Sequence, residues 1–278
     1  MITPVESFHP MADGRRVRVL TWAVPGATQS VQMIHGLSEH IGRYHNLAHA
    51  LNEAGYTAFG HDHMGHGRSD GPRGVLPAFQ SWVDDLHEVR SLAPELTALS
   101  EPPLWVGHSM GGLILIRYLQ QRPTDAAGAV ISAPWLGTAV KVPLHKWILA
   151  KILWLVSPDR VIRNDYDVSL LTADVDEQAR YEQDPLIHHV ISPGLFFRVQ
   201  EAQEKALAEG LPEGLRVLVL IPQADGVTDA TISGPWADRA GPNVEVLRLA
   251  EVRHEPFNDV KRNEILSGLV EWLNALRA

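Results

Sequence analysis

Ser109 stands in the run Gly107-His108-Ser109-Met110-Gly111, with Gly112 next. The apolar stretch before it, Pro102 to Val106, has the character of a buried strand, and Leu113 to Leu119 after it that of a helix. A serine on so sharp a strand-to-helix turn has strained backbone angles and an exposed hydroxyl, and the flanking glycines let neighbouring backbone pack closely. A glycine-rich loop with an incidental serine is the plainer account, but it leaves that strand and helix unexplained. Serine at its own pKa is a weak nucleophile, so it needs a base, and the base needs an orienting acid. Two downstream stretches offer them, each just past an apolar run: Pro222-Gln223-Ala224-Asp225-Gly226 and Ala250-Glu251-Val252-Arg253-His254-Glu255. We assign Ser109 as nucleophile, His254 as general base and then acid, and Asp225 as the group that holds the imidazole. Asp229, about one helical turn further on, competes with Asp225. A surface-loop histidine is the alternative for His254. The oxyanion of an acyl-transfer intermediate needs two backbone N–H donors. Met110, directly after the serine, supplies one; the loop His35-Gly36-Leu37-Ser38-Glu39-His40 supplies the other, with Leu37 the expected donor.

These residues need a scaffold that brings them together. Strands are predicted over 16–24, 30–34, 56–60, 127–132, 215–221 and 244–249, besides the one before Ser109. Helices are predicted over 44–54, 82–99, 229–240 and 260–276. Such alternation implies an α/β protein: a mostly parallel sheet flanked by helices, with its site at the carboxyl edge of the strands. The segment 134–209 breaks the rhythm. It lacks convincing strands and is rich in large apolar residues, among them Trp135, Leu136, Val140, Trp147 and Trp154. The expected organisation is a core of 1–133 and 210–278, with 134–209 a helical cap inserted over the sheet edge. In that cap Leu144, Ile148, Ile152 and Leu155 fall near one helical face, either packed on the sheet or lining a tunnel for an acyl chain. An outer face touching membrane lipid would suit Lys146 and Lys151.

Composition excludes several classes. Acidic residues outnumber Lys plus Arg by 33 to 24 and no basic run stands out, which argues against a nucleic-acid partner. There is no cysteine, so disulfides and thiolate chemistry are excluded. The first residues carry no basic-then-apolar block, and the stretch from Trp147 to Val156 is too short to span a bilayer. The expectation is a cytoplasmic protein. His61-Asp62-His63-Met64-Gly65-His66 lies one residue from an HxHxDH zinc run, but Gly65 replaces the aspartate, and a structural loop is the better account. Neither metal nor cofactor is expected.

Taken together, these motifs resemble the monoacylglycerol lipase and bacterial lysophospholipase branch of the α/β-hydrolases. His35 to Tyr44 is similar to that group's HGxGEHxxRY segment, with Ser38 in place of the second glycine. Asp62 to Ser69 resembles its DxxGHGxS loop, Gly107 to Gly112 its GHSMGG, Asp184-Pro185-Leu186 its cap ending, and Ala224-Asp225 with Asp229 its SADxxxD. The resemblance implies the α/β-hydrolase fold, a Ser109–His254–Asp225 triad, an oxyanion hole at Leu37 and Met110, and an ester substrate with an apolar acyl chain. It also implies that Glu39 and Arg43 shape the polar pocket for the alcohol, although the two can equally form a structural ion pair. The chain departs from the eukaryotic lipase at Phe257, where that enzyme has a second histidine, so the resemblance does not specify glycerol. A non-catalytic binder of small apolar ligands, a serine peptidase and an acyltransferase remain alternatives.

Overall fold

The computed structural model describes every residue except Thr124, Lys141, Tyr166 and Ala278. In chain order the elements are β1 (Val5–Pro10), β2 (Arg16–Trp22), β3 (Gln29–Ile34), α1 (His45–Glu53), β4 (Tyr56–His61), α2 (Phe79–Ser91), α3 (Ala93–Thr97), β5 (Leu104–His108), α4 (Met110–Gln121) and β6 (Gly128–Ser132). Then follow α5 (Leu144–Val156), β7 (Ile162–Arg163), α6 (Val175–Gln183), β8 (Val190–Ile191), α7 (Pro193–Ala208), β9 (Arg216–Pro222), α8 (Ala230–Ala237), β10 (Val244–Leu249) and α9 (Arg262–Ala275).

Among the described residues the main sheet has eight strands in the order β1-β2-β4-β3-β5-β6-β9-β10. β1–β2 and β2–β4 pair antiparallel, and the remaining pairs are parallel. Strand side chains alternate between two cores, as a period of two requires. Trp105, Val217, Val219 and Ile221 join the core built with α2, α4, α7 and α8, whereas Leu104, Val106, Leu218 and Leu220 join the one built with α1 and α9. Central β5 and β6 are buried throughout, while the edge strands β1 and β10 alternate with solvent. The predicted α/β architecture is the one observed.

Three local expectations change. The helix predicted over 82–99 starts at Phe79 and breaks after Ser91, and Pro94 opens α3 in the first turn, where its missing N–H is not needed. β1 was not predicted, because an edge strand this polar has little hydrophobic alternation to show. The segment 134–209 does contain strands, the two-residue antiparallel pair β7–β8.

That segment is not uniform. α7 packs into the main core through Leu195, Val199, Ala202 and Ala206. α5 buries no residue and rests on α7 through Trp147 and Trp154, whose rings lie 6.0 and 4.9 Å from that of Phe197. The face Leu144, Ile148, Ile152 and Leu155 is 47–75% exposed, so it neither packs on the sheet nor lines a tunnel. Lys151 turns inward instead, its Nζ 4.3 Å from the centre of the Trp154 ring. Among the described residues no helix is long and apolar enough to cross a membrane.

Candidate active site

The carboxyl ends of β3, β5, β9 and β10 lie along one edge of the sheet, and each leads into a loop that carries one of the assigned groups. Ser109 joins β5 to α4 with φ +54° and ψ −116°, a left-handed conformation that ordinary residues avoid. Its N–H is tied to the Ser132 carbonyl at 2.9 Å. A side chain on Gly111 would run into the Ile34 and His35 carbonyls, so the glycine lets α4 press against the end of β3.

His254 Nε2 lies 3.0 Å from Ser109 Oγ, and Nδ1 lies 2.8 Å from Asp225 Oδ2. Asp225 is held from all sides: Oδ1 accepts from the Val227 and Thr228 N–H groups at 2.7 and 2.9 Å, and Oδ2 accepts from Thr228 Oγ1 at 2.6 Å. Burial acts to raise the Asp225 pKa, but His254 and these donors outweigh it and hold the carboxyl below its usual range. Asp229 is elsewhere. It caps α8, with Oδ1 accepting from Thr231 N–H at 2.9 Å. The structure therefore brings Asp225, and not Asp229, to His254.

Burial pushes the His254 pKa down, but the Asp225 charge and hydrogen bond, with the charges of Glu255 and Glu39, keep it above histidine's ordinary 6.5. A general base works in its neutral form, which dominates only above that pKa. We expect kcat/KM for a soluble ester to fall as pH drops, with a midpoint above 6.5. A rate profile between pH 5 and 9 whose midpoint lies below 6 would show that burial, and not the Asp225 contact, governs the His254 pKa.

Gly36, Leu37, His108 and Ser109 border a recess of about 70 Å³ that opens to solvent. The Met110 N–H opens the first turn of α4, where no intrahelical acceptor exists. The Leu37 N–H has no acceptor among the described residues. Both assigned oxyanion donors are thus unengaged beside Ser109.

Glu39 and Arg43 border the same recess, 5% and 8% exposed, in a network centred on Arg43. Arg43 Nη1 donates to Glu39 Oε2 at 2.6 Å and to Glu255 Oε1 at 2.7 Å, while Nη2 donates to Glu255 Oε2 at 2.7 Å. Tyr44 Oη and the Gly36 N–H donate to Glu39 Oε1, and Asn258 to Glu255 Oε2. The Arg43 guanidinium also lies over the Tyr181 ring. Two carboxylates share one cation, so the trio carries an excess negative charge. Burial raises the Glu39 pKa, whereas the two-pronged Arg43 contact outweighs burial at Glu255 and pulls it down to about 2. Glu39 and Arg43 are therefore an ion pair and part of the pocket wall at once. Sequence reasoning missed Glu255, Thr228 and Tyr181; only the position of Glu255 directly after His254 hinted at a role.

The other motifs build loops. Asp62 Oδ1 accepts from Ile41 N–H and Oδ2 from Arg68 N–H and Arg18, while Gly67 leaves no room for a side chain against that carboxylate. Asp184 bonds His40 Nε2 at 2.8 Å and so ties the segment 134–209 to the loop after β3. His61, His63 and His66 are buried among one another, His35 and His188. Among the described residues no group of His, Asp and Glu side chains is arranged to hold a metal.

The family model described as serine aminopeptidase, S33 matches residues 26–261. An abhydrolase domain-containing protein of Dictyostelium discoideum is 29% identical over 94% of this chain, which spans only 28% of that relative's length. A monoacylglycerol lipase of Mycolicibacterium smegmatis is 28% identical, with 98% of this chain and 99% of the relative aligned. The crystal structure of a monoacylglycerol lipase from Paleococcus ferrophilus superposes with a TM-score of 0.83 at 32% identity, covering 94% of this chain and 99% of that one.

Proposed function

The chain belongs to the serine aminopeptidase S33 family, and from that premise we propose that it hydrolyses carboxylic esters with apolar acyl chains, of the monoacylglycerol or lysophospholipid kind. The observation that carries the proposal is the line of hydrogen bonds from Asp225 through His254 to Ser109, ending beside two unengaged N–H groups. Ser109 Oγ attacks the ester carbonyl carbon as its proton passes to His254 Nε2, and the carbonyl oxygen takes up negative charge against Leu37 and Met110 N–H. The bond to the alcohol oxygen then breaks, and the alcohol leaves with the His254 proton. Water attacks the acyl-enzyme by the same route, returning Ser109 and a fatty acid. No cofactor takes part.

Glu39 and Arg43 border the alcohol side. The acyl chain leaves past Trp135 and Thr138, which border both the catalytic recess and a neighbouring groove of about 510 Å³ walled by Val140, Trp147, Phe196 and Ile232. Residues 134–209 act as the cap, rooted through α7. The exposed apolar face of α5, with Lys146 and no acidic residue on the helix, rests weakly on lipid. We place the chain in the cytoplasm.

The test is hydrolysis of p-nitrophenyl esters from acetate to palmitate, free and in phosphatidylglycerol vesicles. We expect a maximum at medium or long chains and faster turnover of the vesicle-borne esters. Equal rates at all chain lengths would refute the acyl groove, and equal rates with and without vesicles would refute the lipid contact.

A further inference from the structure

We propose that His35 is a positioning residue that aims the Leu37 N–H at the reacting carbonyl, by gripping the peptide group to which that N–H belongs. The proposal rests on the assignment of Ser109 as nucleophile and Leu37 as oxyanion donor.

The Leu37 N–H and the Gly36 carbonyl are two ends of one peptide unit. Such a unit is planar and trans, so its C=O and N–H point in opposite directions and fixing one fixes the other. His35 Nδ1 lies 2.7 Å from the Gly36 oxygen. Its other ring nitrogen, Nε2, lies 2.9 Å from the backbone nitrogen of His63. A backbone N–H can only donate, so Nε2 is the unprotonated acceptor. The neutral ring then carries its hydrogen on Nδ1 and donates it to Gly36. The backbone of His63 thereby selects the tautomer that holds the oxyanion peptide.

The neighbouring bonds keep this grip in place. The His63 ring, through Nε2, lies 3.2 Å from the His35 carbonyl, so the loop after β4 holds His35 at two points. On the far side of Gly36, its N–H donates to Glu39 Oε1 at 2.6 Å. Gly36 is thus held at both its N–H and its C=O, and a side chain there would come within 3.3 Å of Ser109 Cβ. Ser38 then turns the chain with φ +66°. His35 itself is fully buried and does not border the recess, so it acts on the reaction only through this peptide. A hydrogen bond to the carbonyl also polarises the peptide and strengthens its N–H as a donor.

Removing an entire oxyanion donor lowers kcat by about a hundred- to a thousandfold. Loosening one should cost less. We expect His35→Phe, which keeps the ring volume and removes both bonds, to lower kcat on p-nitrophenyl butyrate by about ten- to a hundredfold, with KM within about twofold. His35→Asn places an amide N–H near the Nδ1 position and should recover most of that loss. A kcat within twofold of wild type for His35→Phe, equal losses in the two variants, or a loss confined to KM would each overturn the proposal. Fluorophosphonate labelling of wild type beside Ser109→Ala tests the nucleophile separately, so failure of that assignment is distinguishable. Should either variant not fold, the ¹⁵N spectrum of histidine-labelled wild type decides. His35, assigned through its backbone resonances, must show Nδ1 protonated and Nε2 bare, and the opposite tautomer would overturn the proposal.

Discussion

Ser109→Ala and His254→Ala are each expected to lower ester turnover by about 10⁵- to 10⁶-fold, and the double variant should be no worse than either alone. The physical reason is that neither group has a use without the other. Ser109 Oγ gains nucleophilicity only as its proton moves across 3.0 Å to His254 Nε2, and His254 has no other route into acylation. Losses of residues that act as one unit do not add. What survives is the contribution of the recess and its backbone N–H groups, which neither substitution touches. Turnover of each purified variant, read against uncatalysed hydrolysis, measures the effect. Losses that multiply in the double variant would mean that Ser109 and His254 act in separate steps.

Asp225→Asn should lower kcat by about 10⁴-fold with the fold intact. The hydrogen-bond geometry dictates the mechanism of the loss. Oδ1 of Asp225 accepts from two backbone N–H groups, so the amide oxygen of an asparagine will keep that place. Its NH₂ then occupies the Oδ2 position, 2.8 Å from His254 Nδ1. A donor facing Nδ1 forces the ring to carry its hydrogen on Nε2, where it can no longer receive the Ser109 proton. Asp229→Asn is the control: asparagine caps a helix as well as aspartate, so activity should stay within about twofold and stability within about 0.5 kcal/mol. Equal losses in kcat from the two substitutions would place the orienting acid wrongly. Unfolding in urea, run on both, separates a chemical loss from a structural one.

The part of the molecule that does chemistry was the part most legible in the sequence. A nucleophile needs its strand, turn and helix in succession, so β5, Ser109 and α4 announce themselves within the 18 residues from Leu104 to Gln121. Asp225 and His254 follow the ends of β9 and β10 for the same local reason. Asp225 was the assigned acid, but the sequence left Asp229 as a rival, because the distinction depends on which carboxylate meets a ring 29 residues away. Glu255 escaped notice for a stronger version of this reason. Its partner, Arg43, is 212 residues distant, and no local pattern records such a pairing. α5 misled in the opposite way: its spacing specified a helix correctly, but periodicity does not say whether an apolar face turns toward protein or away from it.

The unburied state of α5 has a consequence for how this chain can change over generations. Substitutions at sites that bury nothing generally alter stability by less than about 0.5 kcal/mol. The outward positions of α5, such as Leu144, Ile148, Ile152 and Leu155, are of this kind, whereas β5, α4 and the loop after β3 are packed so closely that even a methyl group on Gly111 has no room. Mutation can therefore rewrite the outer surface beside the recess while the reacting groups stay fixed. Descendants of this chain can drift toward new lipid environments or new acyl chains through α5 alone, with the fold and the hydrolytic step carried along unchanged.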